Sequence, residues 1–241
     1  MTAGKASETA NDTAKSTVEN TAGNMALDTT DSAAANNTFV AEALQVDRGG
    51  RVIVENVGFA LAPGAALVVS GPNGAGKSTL LRALAGLLPL ARGRIALGAQ
   101  TQDVFDALHY VGHLDGMKPA LTARENLTFW GAYLGARSSA LSPHEALAAV
   151  GLPHVAEFAV AYLSAGQKRR VALARLLVAW RPVWLLDEPT TALDVAAQAR
   201  FADLMRVYRA EGGIVVAATH APLGLDDAET LRLEPARRRA A

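Results

Sequence analysis

The sequence predicts an α/β fold, and three observations predict it. Short apolar runs of strand length occur at residues 66–70, 183–186 and 214–218. Stretches with helical spacing follow the first two, with Leu80, Leu81, Ala83, Leu84 and Leu87 after one and Phe201, Leu204, Met205 and Tyr208 after the other. Between the first strand and its helix stands a turn containing three glycines.

That turn reads Gly71, Pro72, Asn73, Gly74, Ala75, Gly76, Lys77, Ser78, Thr79 and fits G-x-x-x-x-G-K-[ST]. A strand entering a glycine turn that opens a helix is the geometry of a phosphate cradle. Successive N–H groups point at one anion, and the helix N-terminus adds partial positive charge. Lys77 is expected to reach the β- and γ-phosphates, and the Ser78 hydroxyl to ligate Mg²⁺. An ordinary glycine turn with a chance Lys-Ser pair would not have both flanks right. The motif is read as a nucleotide-binding P-loop.

Composition bounds the rest. Half of the 241 residues are hydrophobic, enough for a sizeable core. Formal net charge is zero, so no nucleic-acid partner is expected. With no cysteine there is no disulfide framework, Cys-based zinc site or thiol chemistry. The longest apolar stretches, 57–70 and 171–186, are broken by Pro and Gly or by Arg175 and Arg181. Neither resembles a span of about 20 apolar residues, so a soluble or peripheral protein is expected.

Residues 1–37 are rich in Thr, Ala, Asn and Ser and nearly free of large apolar residues. Such a segment cannot offset its ordering entropy and is read as a disordered extension, with Met25 a second candidate initiator. One domain is expected over 38–241. Residues 40–46 and 52–59 read as strands joined by a turn at 48–51, and 94–97 as another strand after a helix end near Pro89 to Gly93. A helical subdomain is expected over about 113–160, where Thr122 with Glu125 and Ser142 with Glu145 form capping boxes and Gly151 is a stop.

Three stretches then narrow the chemistry. Ser164, Ala165, Gly166 and Gln167 give another capping pair, and a helix end with a glycine two residues on is a second anion site. The strand at 183–186 ends in Asp187 and Glu188. One carboxylate can hold the Mg²⁺ shell and the other can orient a water. Thr219 and His220 follow the strand at 214–218, where a histidine can sense the γ-phosphate.

Taken in order, these motifs resemble the nucleotide-binding domain of ATP-binding-cassette (ABC) proteins over roughly residues 40–230. The resemblance implies a P-loop NTPase core of RecA type, with an antiparallel β-subdomain and the inserted helical subdomain. It implies ATP with Mg²⁺ at Ser78 and Asp187, Glu188 and His220 as catalytic residues, and Asp194 in the D-loop. It also implies a head-to-tail dimer, each ATP lying between one P-loop and the partner's Ser164 helix end. Within the family the likeness is to the ATP-binding subunit of the cytochrome c maturation haem exporter (CcmA type). It rests on the LSAGQ variant running into Lys168, Arg169 and Arg170, on the compact core, and on residues 110–118 leading into 121–127. This implies integral-membrane partner subunits and peripheral association with the cytoplasmic face of a bacterial inner membrane. The alternative is the ATPase of an iron–sulfur assembly scaffold or of another ABC transporter. The soluble cassettes of DNA repair or ribosomes usually need a coiled-coil insertion or a second cassette, and this chain has neither.

Two positions depart from the family's pattern. Leu114 stands where a glutamine usually contacts Mg²⁺ and the attacking water, leaving open whether His113 or Asp115 substitutes or the contact is absent. Around residues 46–51 there is no aromatic residue to stack on adenine, so weak selectivity between ATP and GTP is expected. His109, His144 and His154 lack metal-ligand spacing and are read as surface or capping residues. Trp130, Trp180 and Trp184 are read as core or interface, and residues 237–239 as a solvated basic tail. Deleting residues 1–37 is expected to leave the melting temperature and the ATPase rate unchanged. A clear fall in either would show that the segment docks on the core.

Overall fold

The computed structural model describes residues 37–99, 104–135 and 140–235. The expected disordered extension, apart from its last residue, and the basic tail lie outside them. Strands β1 (Phe39–Arg48), β2 (Arg51–Leu61) and β4 (Arg92–Leu97) form an antiparallel sheet in the order β2-β1-β4. The second sheet is parallel throughout, in the order β5-β6-β7-β3-β8. Its strands are β3 (Ala66–Ser70), β5 (Leu108–Val111), β6 (Val183–Asp187), β7 (Ile214–Ala218) and β8 (Glu229–Arg232).

The central parallel strands β3, β6 and β7 are largely buried on both faces, which is why they read as unbroken apolar runs. Alternation along each still sorts the side chains. Val183, Leu185, Ile214 and Val216 face α1 (Lys77–Leu84) and the antiparallel sheet in one core, with Leu80, Leu81 and Leu84. Trp184, Leu186, Val215 and Ala217 face Phe201, Met205 and Tyr208 of α5 (Val195–Ala210) in a second. Trp184 stacks flat on Tyr208 with ring centroids 3.8 Å apart. A third core joins α2 (Ala123–Leu134), α3 (Pro143–Ala149) and α4 (Ala165–Ala174) through Leu127, Leu147, Val171 and Val178. Thr122, Ser142 and Ser164 each close a capping box, at the start of α2, α3 and α4 respectively.

The structure corrects three readings. The helix after the P-loop ends at Leu84 instead of running to Pro89, and Leu87 is 59% exposed. Gly86 adopts φ +72° there. Gly86 and Leu87 donate back to the Ala83 and Arg82 carbonyls, a Schellman stop that overrides the leucine spacing. The edge strands β5 and β8 belong to no apolar run recognised in the sequence, and β8 is largely exposed. His109 is not a surface residue. It sits in β5, 2% exposed, its Nε2 donating to the Ala179 carbonyl at 2.8 Å. His144 and His154 are exposed as read.

Burial, with Arg175 and Arg181 nearby, lowers the His109 pKa to about 3, so the folded protein holds it neutral. In the unfolded chain it titrates at its ordinary value of about 6.5. The unfolded state therefore binds more protons between pH 6.5 and 3. The stability from this residue is intact above that window and lost as pH falls through it, by up to about 1.4 kcal/mol per pH unit. Thermal melts from pH 7 to 4 should show the wild type losing stability faster than His109→Gln. Parallel curves would show that His109 is not held neutral.

Candidate nucleotide site

The site is assembled at the carboxyl ends of three neighbouring strands. Asp187 at the end of β6 pairs in register with Ala218 of β7, and Ala218 pairs with Val69 of β3. The P-loop, the two acids and Thr219-His220 thus leave the sheet side by side, at the edge where open α/β sheets bind ligands. Gly71 leaves β3 at φ +135°, and a Cβ there would press into the Leu233 carbonyl. Gly76 takes φ +99° as the N-cap of α1, with Ile53 against the space a side chain would need. The P-loop therefore requires glycine at both positions.

A cleft of about 390 Å³ opens over this loop. It is lined by Asn73, Gly74, Gly76, Lys77, Ser78 and Thr79, by Asp187 and Glu188, and by Arg48 and Ile53 at the β1–β2 hairpin. Lys77 Nζ lies across the loop, donating to the carbonyls of Gly71 at 2.8 Å and Pro72 at 3.2 Å. The Ser78 hydroxyl donates to Asp187 Oδ1 at 3.0 Å. Two hard oxygen donors side by side on a buried carboxylate suit Mg²⁺, so the residues fit the ion the sequence implied.

His220 Nε2 stands 3.0 Å from Lys77 Nζ and 3.1 Å from Asn73 Oδ1. The same nitrogen is 3.9 Å from Glu188 Oε1, while Thr219 Oγ1 donates to Glu188 Oε2 at 3.2 Å. Glu188 has φ +48°, a left-handed conformation costing about 1–3 kcal/mol in a non-glycine residue. The strain falls at an acid that lines the same cleft as the glycine loop.

Other expected residues lie elsewhere. Ser164, Ala165, Gly166 and Gln167 do not line the cleft, and Ser164 is exposed at the start of α4. Gly166 packs against the Ala192 carbonyl, where a Cβ would come within 2.8 Å. Asp194 caps α5, accepting from Ala197 N at 2.7 Å. Leu114 is 83% exposed, and Asp115 is paired with Arg169 at 3.1 Å. Among the described residues no aromatic ring lines the cleft, and Arg48 and Ile53 belong to its lining. Arg48, Ile53 and the role of Thr219 were not legible beforehand, because their proximity to the loop comes from hairpin and strand register.

The family model described as ABC transporter matches residues 54–191. The chain belongs to the ABC transporter family. Membership implies that the chain binds ATP. The chain is 55% identical over 198 residues to the cytochrome c biogenesis ATP-binding export protein CcmA of Chelativorans sp. (strain BNC1), covering 81% of this chain and 97% of that one. It is 53% identical to the protein of the same name from Mesorhizobium japonicum, covering 79% and 96%. Among solved structures, an ATP-binding subunit of an ABC transporter superposes with a TM-score of 0.74 at 21% identity, covering 81% of this chain and 85% of that one. A putative ABC transporter ATP-binding protein from Pyrococcus furiosus superposes with 0.71 at 22% identity, covering 81% and 97%. These two likenesses concern the fold alone.

Thr219 holds one oxygen of Glu188, and the other faces His220. Thr219→Val should lower kcat about tenfold, the worth of one hydrogen bond to a charged group, with KM for ATP little changed. A wild-type kcat would show that Glu188 is oriented without it.

Proposed function

We propose that the chain is the ATP-hydrolysing subunit of a haem-export complex serving cytochrome c maturation. What carries the reading is one conjunction. A full set of groups for cleaving a phosphoanhydride converges on one cleft, in a chain that matches export proteins of cytochrome c biogenesis over nearly their whole length. Among the described residues no helix is long and apolar enough to cross a membrane, so the transmembrane path belongs to other subunits. The exposed Leu114 loop, beside a groove lined by Leu87, Leu108, Trp130 and Leu134, is the surface offered to them. Association is peripheral, at the cytoplasmic face of the inner membrane.

Hydrolysis follows from the placement of the residues. Backbone N–H groups of the P-loop and the start of α1 hold the β- and γ-phosphates, and Lys77 turns from the Gly71 and Pro72 carbonyls toward them. Ser78 and Asp187, 3.0 Å apart, would hold Mg²⁺, which when bound would supply charge neutralisation on the phosphate oxygens. Glu188 takes a proton from the water that attacks the γ-phosphorus, while the bond to the bridging oxygen of ADP breaks. His220 reads the γ-phosphate from beside Lys77. The base rests on Ile53 and the Arg48 side chain, a platform indifferent to adenine or guanine. Because the exposed Ser164 helix end lies off its own cleft, it meets ATP on a second copy, giving a dimer with two shared sites.

Complementation tests the reading. In cells lacking this chain, the wild type should restore covalently haem-bearing c-type cytochromes, and Lys77→Ala and Glu188→Gln should not. In vitro, Lys77→Ala should lose tight ATP binding. Glu188→Gln should bind ATP, stop turning over and elute as an ATP-dependent dimer. If Lys77→Ala restores the cytochromes to wild-type level, ATP use by this chain is not what maturation requires.

A further inference from the structure

Arg169 follows the LSAGQ motif by two residues, yet only 5% of it is exposed. All five of its N–H donors are used. Nε donates to the Pro189 carbonyl at 3.1 Å. Nη2 donates to the carbonyls of Asp187 at 2.9 Å and Glu188 at 2.8 Å. Nη1 donates to the Gly112 carbonyl at 2.7 Å and to Asp115 Oδ1 at 3.1 Å. One planar cation therefore ties three segments together: its own helix, which starts at Ser164, the last residue of β6 with the two that follow it, and the loop after β5.

Two features give this cluster a task beyond packing. Glu188 sits at φ +48°, its N–H donates to the Ala218 carbonyl at 2.8 Å, and its own carbonyl accepts from Arg169 at 2.8 Å and from Thr191 N at 3.2 Å. Without Arg169 only the longer, neutral Thr191 bond holds that carbonyl, and the strained backbone can relax toward the ordinary region and carry the carboxylate off its line. Asp115 is the one carboxylate paired with this buried guanidinium among the described residues, and it remains partly exposed in the loop that presents Leu114. A buried cation cannot lose its single counter-charge cheaply, so movement of that loop is felt at Arg169. Leucine at 114 has no donor or acceptor with which to carry such a signal itself.

We propose that Arg169 is the positioning residue for Glu188, and that Asp115 connects it to the docking loop. A partner that seats on residues 112–116 sets the Asp115–Arg169 pair, and Arg169 sets the Glu188 backbone. Arg169 is itself part of the helix that starts at Ser164, so the loop, the general base and the dimer-facing helix end shift as one unit. The docking half rests on the reading that membrane subunits seat on this loop; the clamp on Glu188 does not.

The test uses the full chain, alone and with its reconstituted membrane subunits, in steady-state ATPase assays with melting temperatures alongside. Arg169→Lys keeps the charge, but its three donors cannot serve four carbonyls and the Asp115 carboxylate. In the isolated chain it should lower kcat about tenfold or more while KM for ATP stays within about twofold. Asp115→Asn should cut the ratio of stimulated to basal kcat by about fivefold or more, and Asp115→Glu should restore most of it. A folded Arg169→Lys variant with wild-type kcat overturns the clamp. Should that variant fail to fold, kcat of Asp115→Asn in the isolated chain decides in its place, and no fall there overturns the clamp equally. Unchanged stimulation in Asp115→Asn overturns the connection to the loop. A wild type that no membrane subunit stimulates overturns the docking half and the export reading together, while the isolated-chain result still decides the clamp.

Discussion

The site depends on the parallel pairing of β6, β7 and β3. Parallel strands in register end level with one another, so Asp187, Ala218 and Val69 lie in one row and whatever follows each strand emerges at the same edge. A shift of one residue in that pairing would turn every alternate side chain to the opposite face. It would also separate Ser78 from Asp187 and Thr219 from Glu188, which lie 109 and 31 residues apart in the chain. The two cores on either face of the sheet hold the register, because Val183 and Leu185 fit only one and Trp184 and Leu186 only the other.

Charge burial at that edge sets a second constraint. Lys77, Asp187 and Arg169 are all buried, and each would be costly if left unpaired. Lys77 has two loop carbonyls and Asp187 has the Ser78 hydroxyl, while Arg169 spends every donor on the strand end and the adjoining loop. These hydrogen bonds are short-range and directional. They convert a sheet edge into a rigid frame, within which the Glu188 carboxylate and the Lys77 ammonium keep room to act.

Much of this was legible beforehand where the physics is local. The P-loop is one continuous segment whose function lies in its own backbone, so its residues could be named from spacing. The capping boxes at Thr122, Ser142 and Ser164 are likewise four-residue devices, and all three form. The edge strands were missed because β5 is four residues long and β8 is mostly exposed, so neither has the apolar run that marks the central strands. His109 was misread because nothing beside it in sequence is its partner; the Ala179 carbonyl is 70 residues away.

The sequence by itself determined the family, the P-loop, the acid pair at the end of β6 and the helix starts, because each is written in residues within a few positions of one another. Only the tertiary structure decided which of three consecutive cations, Lys168, Arg169 and Arg170, is buried, and which side chains flank the cleft mouth. It also decided that Asp115 answers to Arg169. Those outcomes turn on register and on which groups must share a dry interior. Such constraints join distant parts of the chain, and no window along it contains both ends.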